Sequence, residues 1–290
     1  MNKQPTVAVL GLGAMGHAFA ANVLKSGLAT RVWNRTRSRG EDLADAGAIV
    51  RASPAEAVRE ADVVLTMLPD GPTTRTVLLG SEGALAAMKP HAVLAQMGTL
   101  GVKGTEELIA AVRQARDDIV FIDAPVSGTK TPAENAQVLV LAIGDRQAAA
   151  AVEPVFAAIA KGTRWLGPAG AGSRMKLVVN AWLITMMQGI AESTQLAATL
   201  GFSPDDLWDV LEGGPLAAPY VKGKLDMIKQ DNYCPQMALI WGLKDARQAL
   251  KAADSRNLPG LQRISDVWQQ AVDAGHGESD ISVIYRYLAP

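Results

Sequence analysis

The 290-residue chain is long enough for two domains, and 49% of its residues are hydrophobic, which allows a sizeable core. Its formal net charge of −1 gives neither the basic surface typical of nucleic-acid binding nor the charge bias typical of disorder. These totals favour a small-molecule partner and argue against a nucleic-acid partner.

Up to about residue 168, short β-rich runs alternate with helical patterns at the spacing of βαβ units. Helical patterns include 15–25, 105–115 and 148–160. This alternation predicts a doubly wound, mostly parallel sheet, and it leaves open an antiparallel edge among the last runs. The predicted strands are 6–10, 29–33, 63–67, 92–96, 119–123, 139–143 and 163–166.

After Gly170 the strand pattern ends and helical patterns take over. The first reaches about residue 200, and the next begins at Ser203 with an N-cap, a first-turn proline and two acids suited to the helix dipole. Further helices are predicted at 220–228, 239–253, 261–274 and 282–288. We therefore expect an α/β protein with an N-terminal Rossmann domain (1–168) and an all-α C-terminal domain (169–290) entered by a long interdomain helix.

A glycine-rich turn lies between the first predicted strand and the first predicted helix. Gly11, Gly13 and Gly16 form G-x-G-x-x-G, in which the glycines allow a tight turn, a close pyrophosphate and close helix packing. The phosphate would rest on the helix N-terminus. A purely structural turn is the alternative, but the strand-turn-helix context favours dinucleotide binding.

The residues at the end of the second predicted strand indicate which dinucleotide binds. Asn34 stands where an Asp or Glu would accept the ribose hydroxyls, and Arg35, Thr36, Arg37 and Arg39 follow it. A guanidinium can form paired bonds to a 2′-phosphate, so we expect NADP(H) to be preferred, with NAD(H) possible. A solvated arginine-rich loop is the alternative.

A lysine lies in the apolar helical segment that follows GAGSRMKLVVN. Lys176 and Asn180 share one helix face at i and i+4, near a glycine-rich loop, and a reductase needs a proton donor. A snorkelling lysine is the alternative. Two lookalike motifs are set aside: S-x-x-K at Ser173 lacks its companion elements, and Y-x-x-x-K at Tyr220 and Lys224 lies outside the sheet domain.

The chain is expected to be cytoplasmic. Cys234 is its single cysteine, so no intrachain disulfide can form. The first ten residues, MNKQPTVAVL, lead directly into the first predicted strand and lack the pattern of a secretory signal. Residues 175–191 are apolar, but polar residues interrupt them short of the roughly 20 residues needed to span a bilayer, so we expect no membrane span. No metal site is predicted, because the histidines are scattered: His17, His91 and His276.

The whole chain resembles the β-hydroxyacid dehydrogenase family, which includes 3-hydroxyisobutyrate dehydrogenases and glyoxylate and succinic semialdehyde reductases. Four stretches match in order: GLGAMGHAFAANVLKSG for the cofactor, DAPVSGTK for the substrate, GAGSRMKLVVN for the catalytic lysine and GLKDARQAL for a second lysine near the cofactor. The resemblance implies hydride transfer between a nicotinamide cofactor and a small carboxylate-bearing carbonyl or hydroxy acid. It also implies a homodimer or higher homo-oligomer.

The resemblance assigns roles to individual residues. Lys176 would be the general acid/base, and Asn180 would help to position the substrate. The residues expected to contact the substrate are Ser127, Gly128 and, near the pocket mouth, Trp241. The residues expected to bind the cofactor are Gly11, Leu12, Gly13, Ala14, Met15, Gly16, Asn34, Arg35, Thr36, Met67, Leu68, Pro69, Thr99 and Lys244.

Within the family, NRT and SGTKTPAENAQVLVLAIGD resemble the NADPH-dependent glyoxylate and semialdehyde reductase branch, whereas hydroxyisobutyrate enzymes more often have a glycine at Thr129. Met237, Trp241 and Gly242 depart from the family pattern and leave the substrate open. The alternatives are an NAD-dependent 3-hydroxyisobutyrate-type dehydrogenase, an imine reductase of the same fold, whose members typically have Asp or Tyr at the Lys176 position, and a non-enzymatic scaffold.

Overall fold

The computed structural model describes residues 4–167 and 171–289, and the chain divides into two compact units, Met1–Lys176 and Leu177–Pro290. The predicted domain boundary between residues 168 and 169, and Gly170 of the predicted glycine-rich loop, lie outside the described residues. In the described part of the chain, no helix is both long and apolar enough to cross a membrane.

A six-stranded parallel sheet forms the centre of the first unit, in the order β3-β2-β1-β4-β5-β6. Its strands are β1 (Val7–Leu10), β2 (Thr30–Trp33), β3 (Ile49–Val50), β4 (Val63–Thr66), β5 (Val93–Gln96) and β6 (Val120–Asp123). Strand order reverses between β1 and β4, where Val7 pairs with Val63, so the carboxyl ends of these two strands form the switch point at which such sheets bind ligands.

Helices cover both faces of this sheet. They are α1 (Ala14–Lys25), α2 (Glu41–Asp45), α3 (Pro54–Val58), α4 (Gly71–Leu79), α5 (Gly101–Ala115), α6 (Lys130–Glu134) and α7 (Glu153–Ile159). Successive residues of β1 alternate between two cores: Val9 packs in the core that contains Phe19 of α1, and Leu10 packs in the core that contains Leu78 of α4. Burial on both faces explains the uninterrupted apolar run VAVL.

A second, three-stranded sheet follows β6. It contains β7 (Val126–Ser127), β8 (Val138–Ala142) and β9 (Ala160–Trp165). Strands β7 and β8 are antiparallel, while β8 and β9 are parallel, and an antiparallel bridge joins Asp123 to Ile143. The antiparallel pairing therefore occurs, but between β8 and the chain that continues from β6 through β7, because the chain reverses only between β7 and β8. The last two predicted runs, in β8 and β9, pair in parallel.

The long helix α8 (Ala171–Thr199) runs from the first unit into the second. The second unit continues with α9 (Pro204–Leu211), α10 (Pro219–Lys229), α11 (Leu239–Ala252), α12 (Pro259–Ala271) and α13 (Ile284–Tyr287). The predicted start of α9 is confirmed by a capping box, since the Ser203 hydroxyl accepts from the Asp206 N–H while the Asp206 carboxylate accepts from the Ser203 N–H.

Several predicted boundaries were wrong in detail. The helix predicted over 148–160 begins only at Glu153, after a 3₁₀ turn, and Ala160 already belongs to β9. The helix predicted to reach residue 274 ends at Ala271, because Gly275 has a φ of +95° and the chain passes through a π turn. Strands β3 and β7 have two residues each, too few for a periodic pattern.

Candidate active site

The glycine-rich turn between β1 and α1 has the geometry of a phosphate cradle. Gly11 has a φ of +99°, and a Cβ there would lie 2.5 Å from the Met67 carbonyl oxygen. A Cβ at Gly16 would lie 2.0 Å from the Gly11 carbonyl oxygen, so only glycine lets the helix pack on the turn. A Cβ at Gly13 would have no other atom within 4 Å, and this residue is the N-cap of α1, where no side chain caps the helix. The turn thus leaves room beside a helix N-terminus, as a pyrophosphate requires.

Asn34 fastens this turn to the loop after β2. Its Oδ1 accepts from the Leu12 N–H at 3.0 Å, and its Nδ2 donates to the Thr36 carbonyl oxygen at 2.9 Å. The amide thus replaces the expected acid with a neutral group that holds the backbone. Three arginines of the loop are exposed and form no ion pair with another described residue: Arg35, Arg37 and Arg39.

The loops after β4 and β5 meet at the same edge of the sheet. Gln96 clamps the second loop, because its Oε1 accepts from the Gly98 N–H at 2.9 Å and its Nε2 donates to the Gly98 carbonyl oxygen at 2.7 Å. A Cβ at Gly98 would lie 2.6 Å from the Leu68 carbonyl oxygen, so the two loops are in contact. This edge brings together several predicted cofactor-binding residues: Gly11, Met67, Leu68, Pro69 and Thr99.

The predicted substrate loop follows β6. Ser127 is half-buried at the end of β7, and Gly128 has a φ of +138°. A Cβ at Gly128 would also lie 2.9 Å from Val138 Cγ1, so both conformation and space require glycine at this turn.

The start of the helix that bears Lys176 is held by a buried carboxyl group. Asp123 is fully buried, and it accepts from the Ser173 N–H at 3.0 Å and from the Ser173 hydroxyl at 2.9 Å. The Thr105 hydroxyl lies 3.0 Å from the Ser173 hydroxyl. Burial raises the pKa of Asp123 to about 6, although the bonds from Ser173 oppose the shift. Lys176 is half-buried, three residues beyond Ser173.

Asp123 and Thr105 are not among the site residues predicted from the sequence, where Ser173 is only a possible nucleophile. The structure gives Ser173 a different task, because its hydroxyl is buried and hydrogen-bonded to Asp123. One signal was available: Asp123 is a charged residue that ends a predicted buried strand.

In the second unit, Asp245 joins two helices that carry predicted site residues. Its Oδ2 accepts from Asn180 Nδ2 at 2.5 Å, and both side chains are buried. Lys244 Nζ lies 3.3 Å from Asp245 Oδ1, an ion-pair contact outside hydrogen-bond geometry. The same Nζ lies 5.6 Å from the centre of the Trp241 ring, and Trp241 is 41% exposed. Asn180, Trp241 and Lys244 therefore cluster around Asp245.

One departure from the family pattern, Gly242, and one lookalike motif, Y-x-x-x-K, have structural explanations. A Cβ at Gly242 would lie 2.6 Å from Trp268 Cζ3, so glycine lets α11 approach the buried indole of α12. Lys224 is buried and bonds to Asp280 Oδ1 at 2.6 Å, which makes the Y-x-x-x-K pair part of the core. Burial lowers the pKa of Lys224, although the Asp280 carboxylate opposes this shift. Among the described residues, no group of three or more His, Cys, Asp or Glu side chains is arranged to hold a metal ion.

Family models cover almost the whole chain. Residues 6–167 match the NAD binding domain of 6-phosphogluconate dehydrogenase. Residues 170–288 match the model described as "NAD-binding of NADP-dependent 3-hydroxyisobutyrate dehydrogenase".

Individual proteins resemble the chain along its length. Glyoxylate/succinic semialdehyde reductase 1 of Arabidopsis thaliana is 33% identical over 280 residues, which cover 96% of each chain. The cytokine-like nuclear factor N-PAC of Gallus gallus is 31% identical over 97% of this chain, but the match spans only 51% of that protein. The solved structure of the 3-hydroxyisobutyrate dehydrogenase of Mycobacterium tuberculosis with L-serine superposes with a TM-score of 0.85 at 28% identity, covering 99% of this chain and 100% of that one.

Proposed function

Because the chain belongs to the β-hydroxyacid dehydrogenase family and has its NAD(P)-binding domains, we propose that it is an NADP(H)-dependent reductase of small carboxylate-bearing aldehydes or oxo acids. Glyoxylate and succinic semialdehyde are the first candidates. The observation that carries this choice is the likeness to the Arabidopsis reductase over 96% of both chains.

The proposed mechanism divides the work between the cofactor and the side chains. The reduced nicotinamide supplies the hydride when it is bound. Lys176 donates a proton to the carbonyl oxygen as negative charge develops there, and in the reverse direction it accepts the hydroxyl proton. The Ser127 hydroxyl and the backbone at Gly128 hold the substrate carboxylate, and Asn180, oriented by Asp245, positions the reacting carbon.

The proposed cofactor site uses the edge formed by the loops after β1, β2, β4 and β5. The open space at Gly13 fits a pyrophosphate, and the exposed arginines after Asn34 fit a 2′-phosphate. No acidic side chain of that loop stands between residues 34 and 39 to repel it. These features support NADP(H) over NAD(H).

The proposed activity is tested by titrating the purified protein with NADPH and NADH and following nucleotide fluorescence. Initial rates are then measured with glyoxylate, succinic semialdehyde and methylmalonate semialdehyde. We expect tighter binding of NADPH and turnover of at least one of the first two aldehydes. NADPH binding without turnover of any carbonyl would favour the scaffold alternative, and turnover only when an amine is added would favour imine reduction.

We also propose that the chain forms a homodimer or a higher homo-oligomer through α8. Val178, Trp182 and Leu196 lie within about 40° of one another around this helix, and each is at least 60% exposed in the single chain. Such an apolar stripe is costly in water and favours burial against a second copy.

We expect Trp182→Glu to reduce the mass measured by light scattering after gel filtration to that of a monomer, because a carboxylate would be buried in the interface. Leu258→Glu makes a comparable change at another exposed apolar side chain, outside α8, and should leave the mass unchanged. Retention of the oligomer by Trp182→Glu would place the interface elsewhere.

A further inference from the structure

Asp123 anchors the first turns of α8 from a distant part of the chain. The carboxyl group ends β6, fifty positions before Ser173, and both of its oxygens accept hydrogen bonds from that one residue. A helix N-terminus is usually capped by the residue that precedes it, on the surface. Here the cap comes from the central sheet and is fully buried.

The protons of this cluster are ordered by the charge on Asp123. An ionised carboxylate only accepts, so the Ser173 hydroxyl donates to Asp123 Oδ1, and the Thr105 hydroxyl must then donate to the Ser173 oxygen. The chain of hydrogen bonds joins three elements of the first unit: β6, α5 and α8. With a pKa of about 6, the carboxyl group is mostly ionised at neutral pH.

Lys176 follows Ser173 by three residues, which is less than one helical turn. The position of its backbone is therefore fixed by the same bonds that hold Ser173. A neutral serine or asparagine could cap a helix without burying a charge, so a merely structural cap does not require a carboxylate at this place.

We propose that Asp123 is a positioning residue for Lys176: together with Ser173 and Thr105, it fixes the start of α8 so that the ammonium group meets the substrate carbonyl. This inference rests on the proposed function of Lys176 as the general acid. Asp123 is fully buried and acts only through Ser173 and the start of α8. A misplacement of about 1 Å can cost on the order of 10²-fold in rate, so loosening the anchor should be visible in kcat.

Two substitutions weaken the anchor while keeping the shape of the side chain. In Asp123→Asn the amide oxygen can still accept from the Ser173 N–H, but the amide nitrogen cannot accept from the Ser173 hydroxyl, so that charge-assisted bond is lost and the direction of the hydrogen bonds in the cluster is reversed. Thr105→Val removes only a hydroxyl group. We expect kcat to fall about tenfold or more for Asp123→Asn and by less for Thr105→Val, with the Kd of NADPH unchanged. Thr105→Ser keeps the hydroxyl and should restore most of the loss.

A double-mutant comparison separates positioning from a general structural effect. If Asp123 acts through Lys176, then Asp123→Asn should lower kcat no further when Lys176 is already alanine. Independent losses that multiply would overturn the proposal. So would an unchanged kcat for Asp123→Asn and Thr105→Val in an active enzyme. Should Asp123→Asn fail to fold, the Thr105→Val and Thr105→Ser pair, combined with Lys176→Ala, decides by the same criteria.

Hydrogen exchange measured by mass spectrometry tests whether Asp123 stabilises the start of α8, and it does not depend on turnover. Asp123→Asn should speed amide exchange in a peptide covering residues 173–180 and leave the glycine-rich turn unchanged. A wild-type protein that reduces no carbonyl would contradict the proposed function. If the wild type is active but the start of α8 exchanges at the same rate in Asp123→Asn and in the wild type, only the proposed anchor is contradicted.

Discussion

Lys176→Ala is expected to lower kcat by about 10² to 10⁴-fold, which is the contribution that a positioned general acid typically makes. Alanine leaves the helix intact, because it has the best helix propensity, and it removes only the proton donor. The loss should appear equally in kcat and in kcat/KM if the ammonium group acts mainly in the transition state. Initial rates with the aldehyde that the wild-type protein reduces best provide the measurement.

Matched variants show whether the loss is specific. Lys103→Ala removes an exposed lysine from α5 and should leave kcat near the wild-type value. Lys176→Arg keeps the positive charge, but a guanidinium does not release a proton in the working pH range, so its kcat should stay low. NADPH should still bind to both Lys176 variants in a fluorescence titration. Wild-type turnover by Lys176→Ala would remove this lysine from the mechanism.

The parts of the site that can be predicted from the sequence are those whose residues lie close together in the chain. Gly11, Gly13 and Gly16 each answer a requirement within one strand-turn-helix unit, and the structure gives each a separate reason. The alternation of β-rich and helical segments likewise determines the parallel sheet, because a buried strand and its crossover helix each fit into about fifteen residues. The family, which the comparisons confirm, was visible in four ordered motifs.

The parts that were missed depend on contacts between residues far apart in the chain. The Asp123–Ser173 pair spans fifty positions, and the Asn180–Asp245 pair spans sixty-five. Neither pair leaves a periodic pattern, so only the folded chain brings the members together. The need for glycine at position 242 is likewise not predictable from the sequence, because it arises from contact with the indole of Trp268 in the next helix.

Asp123 also carries a cost that bears on its role. Its folded-state pKa of about 6 exceeds the ordinary value of 3.8, so the folded state holds its proton more tightly than the unfolded chain. Ionisation of this group therefore lowers the free energy of unfolding, by on the order of 3 kcal/mol above pH 6. Below about pH 4 the group is protonated in both states, and this destabilisation disappears. A group that costs stability at neutral pH is more readily explained by function than by folding.

Arg35→Ala is expected to weaken NADPH binding by about 10- to 100-fold, the worth of a charge-assisted hydrogen bond, while NADH binding changes little. The reason is that only NADPH carries the 2′-phosphate that the guanidinium would bind. Arg37 and Arg39 lie on the same exposed loop, so part of the attraction should remain in the single variant. Fluorescence titrations with both nucleotides, at low and at high salt, give the two affinities.

Arg59→Ala is the matched control, because it removes an exposed arginine just after α3, near the start of β4 and therefore at the opposite edge of the sheet. Its affinity for NADPH should equal that of the wild type. The NADPH preference of the wild type should also decline with added salt, since an exposed ion pair is screened over about 8 Å at physiological ionic strength. Equal losses of NADPH and NADH affinity in Arg35→Ala would mean that the loop binds the adenine or shapes the turn, and the preference for NADP(H) would then need another source.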